Sequence, residues 1–262
     1  MVNVIIPAYN CRRTLERTLA SLIAQTDKRF EVILVDDCST EDIKGIVDEY
    51  FYSLKIRYIR NDKNLGCGMS RQVGMDNATQ KYVTFLDADD MFMPYTVETF
   101  NAVIAEHPEM EYLHTHFYQQ IVVDESPAMV LHKDNYTACH GKLYNLEAVR
   151  KHGIRNSPEV RWADDSYFNS MCGELLKMSI IGIPTMLWTS TPDSVLRKPD
   201  PERDSNIMAD FVNAMIMSAE FVVKRKGYAE HLHETVDRLK KKYTFTEEEN
   251  ARIEALLGFG RK

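Results

Sequence analysis

The chain has 262 residues, of which 44% are hydrophobic and 27% are charged, and its formal net charge is −7 at pH 7. This length is enough to bury a sizeable core, and the acidic balance argues against a protein whose main role is to coat a nucleic-acid backbone. The five cysteines are widely spaced and form no CxxC pair, so we expect neither a zinc site nor a disulfide framework, and a reducing cytoplasm fits. Because no basic leader and no run of about 18 apolar residues is found, we expect neither secretion nor a membrane-spanning segment.

The first third of the chain alternates short apolar segments with helical periodicity. Strands are predicted at four β-branched or aromatic segments: Val2–Ile6, Glu31–Val35, Ile56–Ile59 and Tyr82–Leu86. Asn10 is predicted to cap the first helix, Ser39 or Thr40 the second, and a short third helix is expected near Ser70 to Ala78. This alternation predicts a parallel sheet with right-handed crossovers. Since polar residues follow strands one, two and four, we expect them to meet at one edge of the sheet, as in a nucleotide site.

Three carboxylates follow the fourth strand, in the segment Asp87-Ala88-Asp89-Asp90. Asp87 and Asp89 point the same way if the strand continues, so they repel each other unless a cation lies between them. Carboxylate oxygens suit Mg²⁺ or Mn²⁺, which fill their other positions with water and phosphate oxygens. From these residues alone, an acidic turn with a helix cap is the alternative.

The second half of the chain predicts a helix from Pro94 to about His107 and a strand at Tyr112–Tyr118. Gln119 to Leu131 is expected to form a hairpin around a turn at 124–127. His114 and His116 have strand spacing, and we interpret them as a polar strand face in preference to a metal pair. Another helix is predicted from Asp164 to Leu176.

The last part of the chain predicts a loop or linker at 195–204 and then three helices. Their expected bounds are Asn206–Lys226, Tyr228–Tyr243 and Thr246–Leu257. The basic runs 224–226 and 240–242 are interpreted as solvated helix faces. The first of these helices has an apolar stripe that suits packing on the core or on a second subunit, formed by Ile207, Phe211, Met215 and Val222.

Four motifs occur in an order and spacing that resemble the N-terminal half of a family 2 glycosyltransferase with the GT-A fold. They are Val4 to Asn10, Val35 to Thr40, Asn64-Leu65-Gly66 with Arg71 and Gly74, and Phe85 to Asp90. The resemblance continues through Gly141 to Tyr144 and Trp162 to Phe168, so it covers roughly residues 2 to 190. It implies an α/β GT-A fold with a mixed sheet flanked by helices and a C-terminal helical extension. The implied division is a catalytic domain at 1–195, with a nucleotide-binding half at 1–90 and an acceptor-binding half at 91–195, followed by a loop and the helical extension at 196–262.

The resemblance also implies roles for residues that bind the nucleotide. The base would be lined by three consecutive residues, Pro7, Ala8 and Tyr9. Asp37 would bind the base edge with Asp36 close by, which is chemically plausible because a carboxylate accepts from base N–H groups and ribose hydroxyls. Arg71 would face the base or the phosphates. Asp87 and Ala88 would lie near the ribose or sugar, and Asp89 would bind a divalent metal ion, Mn²⁺ or Mg²⁺, that bridges the diphosphate.

Inverting transfer requires a base that takes the proton of the acceptor hydroxyl. Asp165 aligns with the family's base and Asp164 precedes it, although carboxylates at a helix N-terminus are also stabilised by the helix dipole alone. His140 and Lys142 lie in the region that shapes the acceptor pocket in relatives.

Several positions depart from the family pattern. Gln72 follows Arg71 where relatives have Asn. The only histidines after Asp165 are His231 and His233, in a predicted helix, so Asp89 is expected to be the sole protein ligand of the ion. Arg197 and Lys198 either close over the diphosphate or form a solvated charge run. Arg161-Trp162 precedes the acidic pair, unlike the corresponding signature of processive synthases, so we expect a non-processive enzyme.

These patterns together predict a metal-dependent, inverting hexosyl-type transferase that moves one sugar from a nucleotide sugar, UDP-linked in preference, to a hydroxyl acceptor. The acceptor would be a glycan or a lipid-linked sugar, and the enzyme would be cytoplasmic, with peripheral contact at the inner membrane face. The C-terminal helices are candidates for a homo-oligomer contact. Three alternatives stay open: a nucleotidyltransferase, a silent scaffold of the same fold, and an enzyme that glycosylates nucleic-acid bases. The absence of a Gly-rich basic loop after the first strand argues against the first, and the intact Asp87, Asp89 and Asp165 argue against the second.

Overall fold

The computed structural model describes residues 1–123, 126–189, 201–227 and 232–258. Within these ranges the strands are β1 (Val2–Ala8), β2 (Phe30–Asp36), β3 (Ile56–Arg60), β4 (Tyr82–Phe85), β5 (Met91–Phe92), β6 (Tyr112–Val123), β7 (Ser126–His132), β8 (Lys142–Asn145) and β9 (Met178–Trp188). The helices are α1 (Arg12–Ile23), α2 (Ile43–Tyr50), α3 (Cys67–Asp76), α4 (Thr96–Glu106), α5 (Leu146–Lys151), α6 (Asp164–Leu175), α7 (Pro201–Lys226), α8 (Leu232–Lys240) and α9 (Glu247–Gly258).

The strands form one mixed sheet in the order β3-β2-β1-β4-β8-β6-β9-β5, and β7 pairs with β6 outside this path. β1 is parallel to both β2 and β4, and β2 is parallel to β3, so the predicted parallel half is confirmed. The second half is mixed because β8 runs antiparallel to β4 and β6, whereas β6 and β9 are parallel. The carboxyl ends of β2, β1 and β4 therefore lie side by side, as expected from the polar residues that follow them.

Helices cover both faces of the sheet. On one face α1 and α2 bury apolar side chains against β1 and β2, in a core that contains Leu15, Leu19, Ile46, Val4 and Leu34. The opposite face carries α3, α5, α6 and part of α7, in a core that contains Ile5, Phe85, Met75, Phe168 and Val222. The predicted α/β architecture is thus confirmed, and β1, β2 and β4 are buried because both of their faces are covered, whereas the edge strand β3 is partly exposed.

Two predicted helix caps are wrong. Asn10 does not cap α1: its φ is 47°, and its side-chain oxygen accepts from the backbone N–H of Thr40 at 2.8 Å. α2 is capped by Asp42, whose carboxylate accepts from Gly45 N at 2.8 Å, in place of Ser39 or Thr40. Both differences arise because the loops after β1 and β2 are neighbours in space, so Asn10 binds the second loop instead of its own helix.

The hairpin formed by β6 and β7 is confirmed, although Asp124 and Glu125 at its tip lie outside the described residues. The histidine prediction is wrong for His114, which has no exposed surface. Its side chain lies inside the protein because β6 is covered on both faces at this position.

The C-terminal helices pack against α6 and against one another. On α7, Ala214 and Val222 share a core with Phe168 and Met171 of α6. The other side of α7 packs with α8 and α9 in a second core that includes Met215, Val236 and Ile253. The apolar stripe of α7 is therefore used inside the chain, which confirms the core alternative for Phe211, Met215 and Val222. The boundary predicted at 195/196 lies outside the described residues.

One helix in the described part of the chain, Asp204–Lys226, is long and apolar enough to cross a membrane by length and composition. The sequence prediction found no such segment. In the structure this helix is the central helix of the C-terminal packing, with Val212 and Ile216 fully buried by protein.

Candidate active site

The segment after β4 is anchored from several elements. Asp90 is buried, accepts from the backbone N–H of Thr189 at 2.8 Å, and lies 3.1 Å from His140 Nε2. The backbone oxygen of Asp89 accepts from Arg17 of α1 at 2.7 Å and from the Thr189 hydroxyl. These contacts fix the backbone of the three carboxylates at the end of the strand.

The Asp89 carboxylate differs from its neighbours because no described side chain donates a hydrogen bond to its oxygens. Burial and the nearby carboxylates of Asp90 and Asp87 raise the pKa of Asp89 to about 7. A carboxylate that is desolvated, close to two others and without a paired cation among the described residues is a chemically suitable ligand for a divalent ion. The residues present therefore fit the metal role predicted for Asp89.

Arg71 joins the two halves of the site. Its side chain is 5% exposed, and its guanidinium donates to Asp87 Oδ1 at 2.7 Å and to Asp164 and Asp165. The contact of Arg71 with a base or a phosphate stays a prediction. In the structure, Arg71 ties the carboxylate after β4 to the acidic pair that begins α6.

The close approach of α3 to α6 makes this contact possible. A Cβ atom on Gly68 would lie 2.5 Å from Asp164 Cβ, so only glycine fits at this position. Burial raises the pKa of Asp164 to about 7 even though Arg71 acts in the opposite direction. Burial would also raise the pKa of Asp87, but Arg71 and His140 more than offset it and hold that pKa below its ordinary value.

The two carboxylates after β2 are engaged by protein groups. Asp36 has no exposed surface and accepts from Ser39 N at 2.9 Å, from Tyr58 Oη at 2.6 Å and from Arg60. A direct contact of Asp36 with a nucleoside therefore has no support in its geometry. Asp37 is 3% exposed and accepts from Asn61 Nδ2 and from the backbone N–H groups of Leu65 and Gly66, each at 2.8 Å.

Among the other residues predicted to bind the nucleotide, exposure varies widely. Tyr9 is 51% exposed at the edge of the sheet, whereas Ala8 and Ala88 are buried in the core under α1. Pro7 is also buried, at the end of β1 beside Val35. The contacts of Pro7, Ala8, Tyr9 and Ala88 with a nucleotide stay predictions.

The segment between β7 and β8 lies over the acidic pair. The backbone N–H of Cys139 donates to Asp165 Oδ2 at 3.1 Å, and the Asp165 side chain remains 28% exposed. Burial lowers the pKa of His140, but the Asp90 carboxylate more than offsets this effect, so the pKa is raised. His140 thus contacts Asp90 after β4, and the Cys139 amide contacts Asp165 of α6.

Lys142 is placed differently from the expectation that it would line the acceptor pocket. It has no exposed surface, and its Nζ donates to Asn135 O at 3.0 Å, to His140 O at 3.4 Å and to His114 Nδ1 at 3.1 Å. Burial lowers the pKa of Lys142 to about 8. The pKa of His114 is lowered to about 4 by its own burial and by the nearby charge of Lys142. Lys142 therefore binds the backbone at both ends of segment 135–140.

A second group of possible metal-binding atoms belongs to Asp87, Cys139 and His140, whose donor atoms lie within 4.8 Å of one another. Arg71 already lies in this group, 3.2 Å from Cys139 Sγ and 2.7 Å from Asp87. A guanidinium charge in this place disfavours a metal cation there. The group does not include Asp89.

Sequence reasoning missed several residues of the site. Cys139, Arg17 and Thr189 take part through main-chain atoms or through contacts with the main chain, for which the sequence carries no recognisable signal. Asn61 follows β3 and could have been found as a polar residue at a strand end. Arg197, Lys198 and His231 lie outside the described residues, and His233 is exposed on α8.

The fold and the site together define a class of protein. A parallel nucleotide-binding half, an acidic segment after β4 and a second acidic pair on a helix characterise GT-A glycosyltransferases. The fold is supported by similarity to the crystal structure of S. aureus TarS 1–349 in complex with UDP-GlcNAc, with a TM-score of 0.75 and 22% identity over 98% of this chain and 79% of that chain. A mannosyltransferase from Pyrobaculum calidifontis, solved with GDP-Man and Mn²⁺, has a TM-score of 0.56 and 16% identity, over 99% of this chain and 85% of that one.

The family model described as "Glycosyl transferase family 2" matches residues 3–153. The chain belongs to this family. An uncharacterized glycosyltransferase of Haemophilus influenzae is 40% identical over 114 residues, which is 44% of this chain and 38% of that protein. The chain thus matches well under half the length of this curated relative. The family match includes Asp37, Arg71 and Asp89 and ends before Asp164 and Asp165.

Proposed function

We propose that this protein transfers a single sugar from a nucleotide sugar to a hydroxyl acceptor, with inversion at the anomeric carbon. The observation that carries the proposal is the contact of Arg71 with both Asp87 and the pair Asp164–Asp165. It brings the carboxylates of the donor side and the candidate base into one cluster, as a displacement reaction at a single carbon requires. Membership of family 2 supports the same reaction class.

The donor would bind at the carboxyl ends of β1, β2 and β4, where the loop held by Asp37 and the exposed Tyr9 lie. A UDP-sugar is our first candidate because the TarS structure contains UDP-GlcNAc. A GDP-sugar is the second, because the Pyrobaculum structure contains GDP-Man.

Asp89 would hold the divalent ion. Two features support this role: the Asp89 carboxylate accepts no hydrogen bond from a side chain in the described ranges, and its pKa is raised. The Pyrobaculum structure contains Mn²⁺. When bound, such an ion supplies Lewis-acid stabilisation of the departing diphosphate.

Asp165 would take the proton of the acceptor hydroxyl. Its two carboxylate oxygens are oriented by Arg71 and by the Cys139 N–H, while part of the side chain faces solvent. Each carboxylate oxygen has two lone pairs, so an oriented Asp165 can still accept a proton.

The acceptor would be a hydroxyl-rich molecule such as a glycan or a lipid-linked sugar, reached from the cytoplasmic side of a membrane. A cleft runs along α6 between Thr137 and Ser166 on one side and Phe211, Met215 and Thr235 on the other, and Ser166 directly follows Asp165 in the sequence. The cleft combines hydroxyl groups with apolar side chains, which suits a sugar ring because such a ring has polar edges and apolar C–H faces.

A nucleic-acid acceptor is less well supported. In the basic run of α7, Lys226 pairs with Glu174 at 3.0 Å, and the Arg225 guanidinium lies 3.4 Å from the centre of the Phe221 ring. These groups are engaged inside the chain and are not presented together as a phosphate-binding surface. DNA affinity that falls steeply with salt concentration would contradict this view.

The donor class can be tested by thermal unfolding with UDP, GDP, CDP and dTDP, each with Mn²⁺ and with a chelator. A ligand at a hundredfold excess over its dissociation constant adds about 2.7 kcal/mol to the free energy of unfolding. We expect UDP to raise the unfolding midpoint in the presence of Mn²⁺ only. A shift with GDP alone would move the donor to a GDP-sugar, and no shift with any nucleotide would favour a silent scaffold.

Two variants separate binding from chemistry. Asp89→Asn is expected to lose the Mn²⁺-dependent shift, whereas Asp165→Asn is expected to keep the shift and lose transfer. Asp48→Asn, on the exposed surface of α2, is the matched control and should change neither. Transfer by Asp165→Asn at the wild-type rate would show that Asp165 is not the base.

A further inference from the structure

The turn before the acidic pair is held by a residue from the C-terminal helices. α6 begins without a side-chain cap, because its N-cap residue is Ala163. The carboxylate of Asp210 on α7 binds the turn that leads into this helix: it accepts from the backbone N–H groups of Arg161, Trp162 and Ala163 at 3.0, 2.7 and 2.8 Å. Three successive amides thus converge on one carboxylate that lies 47 residues or more away in sequence.

This contact fixes the start of α6. The amides of residues 161–163 precede the first turn of α6 and have no partners within the helix, so the Asp210 carboxylate binds them with charge-assisted hydrogen bonds and also lies near the positive end of the helix dipole. The residues directly after this turn are Asp164 and Asp165, whose carboxylates both contact Arg71. The direction in which the turn enters α6 therefore determines where the candidate base lies.

The same turn also contacts the nucleotide half of the site. The guanidinium of Arg161 donates to Asn64 Oδ1 at 2.8 Å, and Asn64 precedes the two residues whose amides bind Asp37. One turn thus connects α7, the acidic pair and the loop after β3.

The docking of α7 on α6 does not depend on Asp210. The two helices share apolar contacts of Ala214 and Val222 with Phe168 and Met171, which are all buried. A change at Asp210 should therefore release the turn and leave the helices packed. This difference allows a role in positioning to be separated from a role in general stability.

We propose that Asp210 is a positioning residue for the acidic pair, so that α7 is part of the catalytic unit and not an appended helix. The proposal rests on the proposed function only where Asp165 is taken as the base. Asp210 does not touch the reacting atoms. It acts by holding segment 161–163.

The test compares Asp210→Ala with Asn213→Ala, a control one turn further along α7 whose side chain donates to Glu159 O at 3.2 Å. Limited trypsin cleavage after Arg161, followed by mass spectrometry, reports whether the turn opens. Loss of the Asp210 carboxylate is expected to raise the cleavage rate after Arg161 by about tenfold in Asp210→Ala, because cleavage of a locally open segment follows the population of the open form. Asn213→Ala should cleave at the wild-type rate.

Kinetics give the second measurement. A small displacement of a catalytic group from its position lowers the rate by up to about 100-fold, so kcat of Asp210→Ala should fall with little change in the UDP-induced midpoint shift. Asp210→Asn keeps one acceptor oxygen, so its kcat should lie between those of the wild type and Asp210→Ala. Equal cleavage in both alanine variants, or faster cleavage with unchanged kcat, would overturn the proposal. If the wild type transfers no sugar, the proposed function fails, and cleavage at Arg161 still decides whether Asp210 holds the turn.

Discussion

Replacing Arg71 with methionine tests the central contact of the site. The change keeps an apolar side chain of similar length and removes the guanidinium from among Asp87, Asp164 and Asp165. Removing one partner of a buried ion pair costs about 3 to 5 kcal/mol, because the remaining charge has no compensation. Asp87 and Asp165 are 24% and 28% exposed, so we expect a loss near the lower end, about 3 kcal/mol.

The loss should depend on pH, with a defined sign. In the wild type Arg71 holds the pKa of Asp87 below its ordinary value, so this group contributes stability above pH 3.8 that is lost as the pH falls. Without Arg71, burial is no longer opposed at Asp87 and Asp164, so we expect raised pKa values for these two carboxyls in the folded state, and the folded protein then binds more protons than the unfolded one above that pH. The variant should therefore lose further stability as the pH rises, by up to about 1.4 kcal/mol per pH unit for each titrating carboxyl.

Urea unfolding at pH 5.5 and pH 8 measures both effects. With a slope of about 2 kcal/mol per molar urea, a loss of about 3 kcal/mol lowers the midpoint by about 1.5 M. The control is Arg155→Met, which breaks the exposed pair with Asp76 at 2.8 Å and should cost less than about 1 kcal/mol. A loss at Arg71 no greater than at Arg155, or a deficit that does not grow with pH, would refute the reasoning.

Two further predictions concern the carboxylate and the lysine of the site. Asp89→Asn should raise the free energy of unfolding, measured in chelator at pH 8, by about 1 to 2 kcal/mol, because a raised pKa means that the ionised form of Asp89 destabilises the fold. This gain should shrink towards pH 5. An unchanged urea midpoint at pH 8 would count against the prediction. Lys142→Met should release segment 135–140, so that N-ethylmaleimide labels the buried Cys139 faster while Cys172, equally buried on α6, stays protected. Parallel labelling of both cysteines, read by peptide mass spectrometry, would indicate general unfolding instead.

The parallel half of the fold could be predicted because its signals are local. Val2–Ile6 and Tyr82–Leu86 are apolar and β-branched or aromatic, and each is followed directly by turn or acidic residues, so strand and loop are both marked in the sequence. The clustering of polar residues at one sheet edge then follows from topology alone. The mixed order of β8, β6 and β9 carries no such local signal, because strand direction is decided by long connections.

The contacts of individual side chains could not be predicted in the same way. Arg71 was identified as a site residue from its motif, but its partners on α6 lie more than 90 positions away in sequence. Asn10 is a residue type that often caps helices, but its side chain binds the loop after β2, where it accepts from the backbone N–H of Thr40. Which acceptor a polar side chain finds is determined by packing at long range, and this information is not present in a segment of the chain.

The loop after β3 illustrates preorganisation at this edge of the sheet. Asp37 binds Asn61, Leu65 N and Gly66 N from within the protein, and Gly66 supplies the positive φ of 88° that lets its amide turn inward. The loop is therefore ordered when the chain folds, before any ligand arrives. A ligand that binds against it does not have to immobilise it, so little conformational entropy is lost in this loop on binding. Substitutions at Asp37 would accordingly weaken binding by restoring that entropy cost, even where the side chain makes no contact with the ligand.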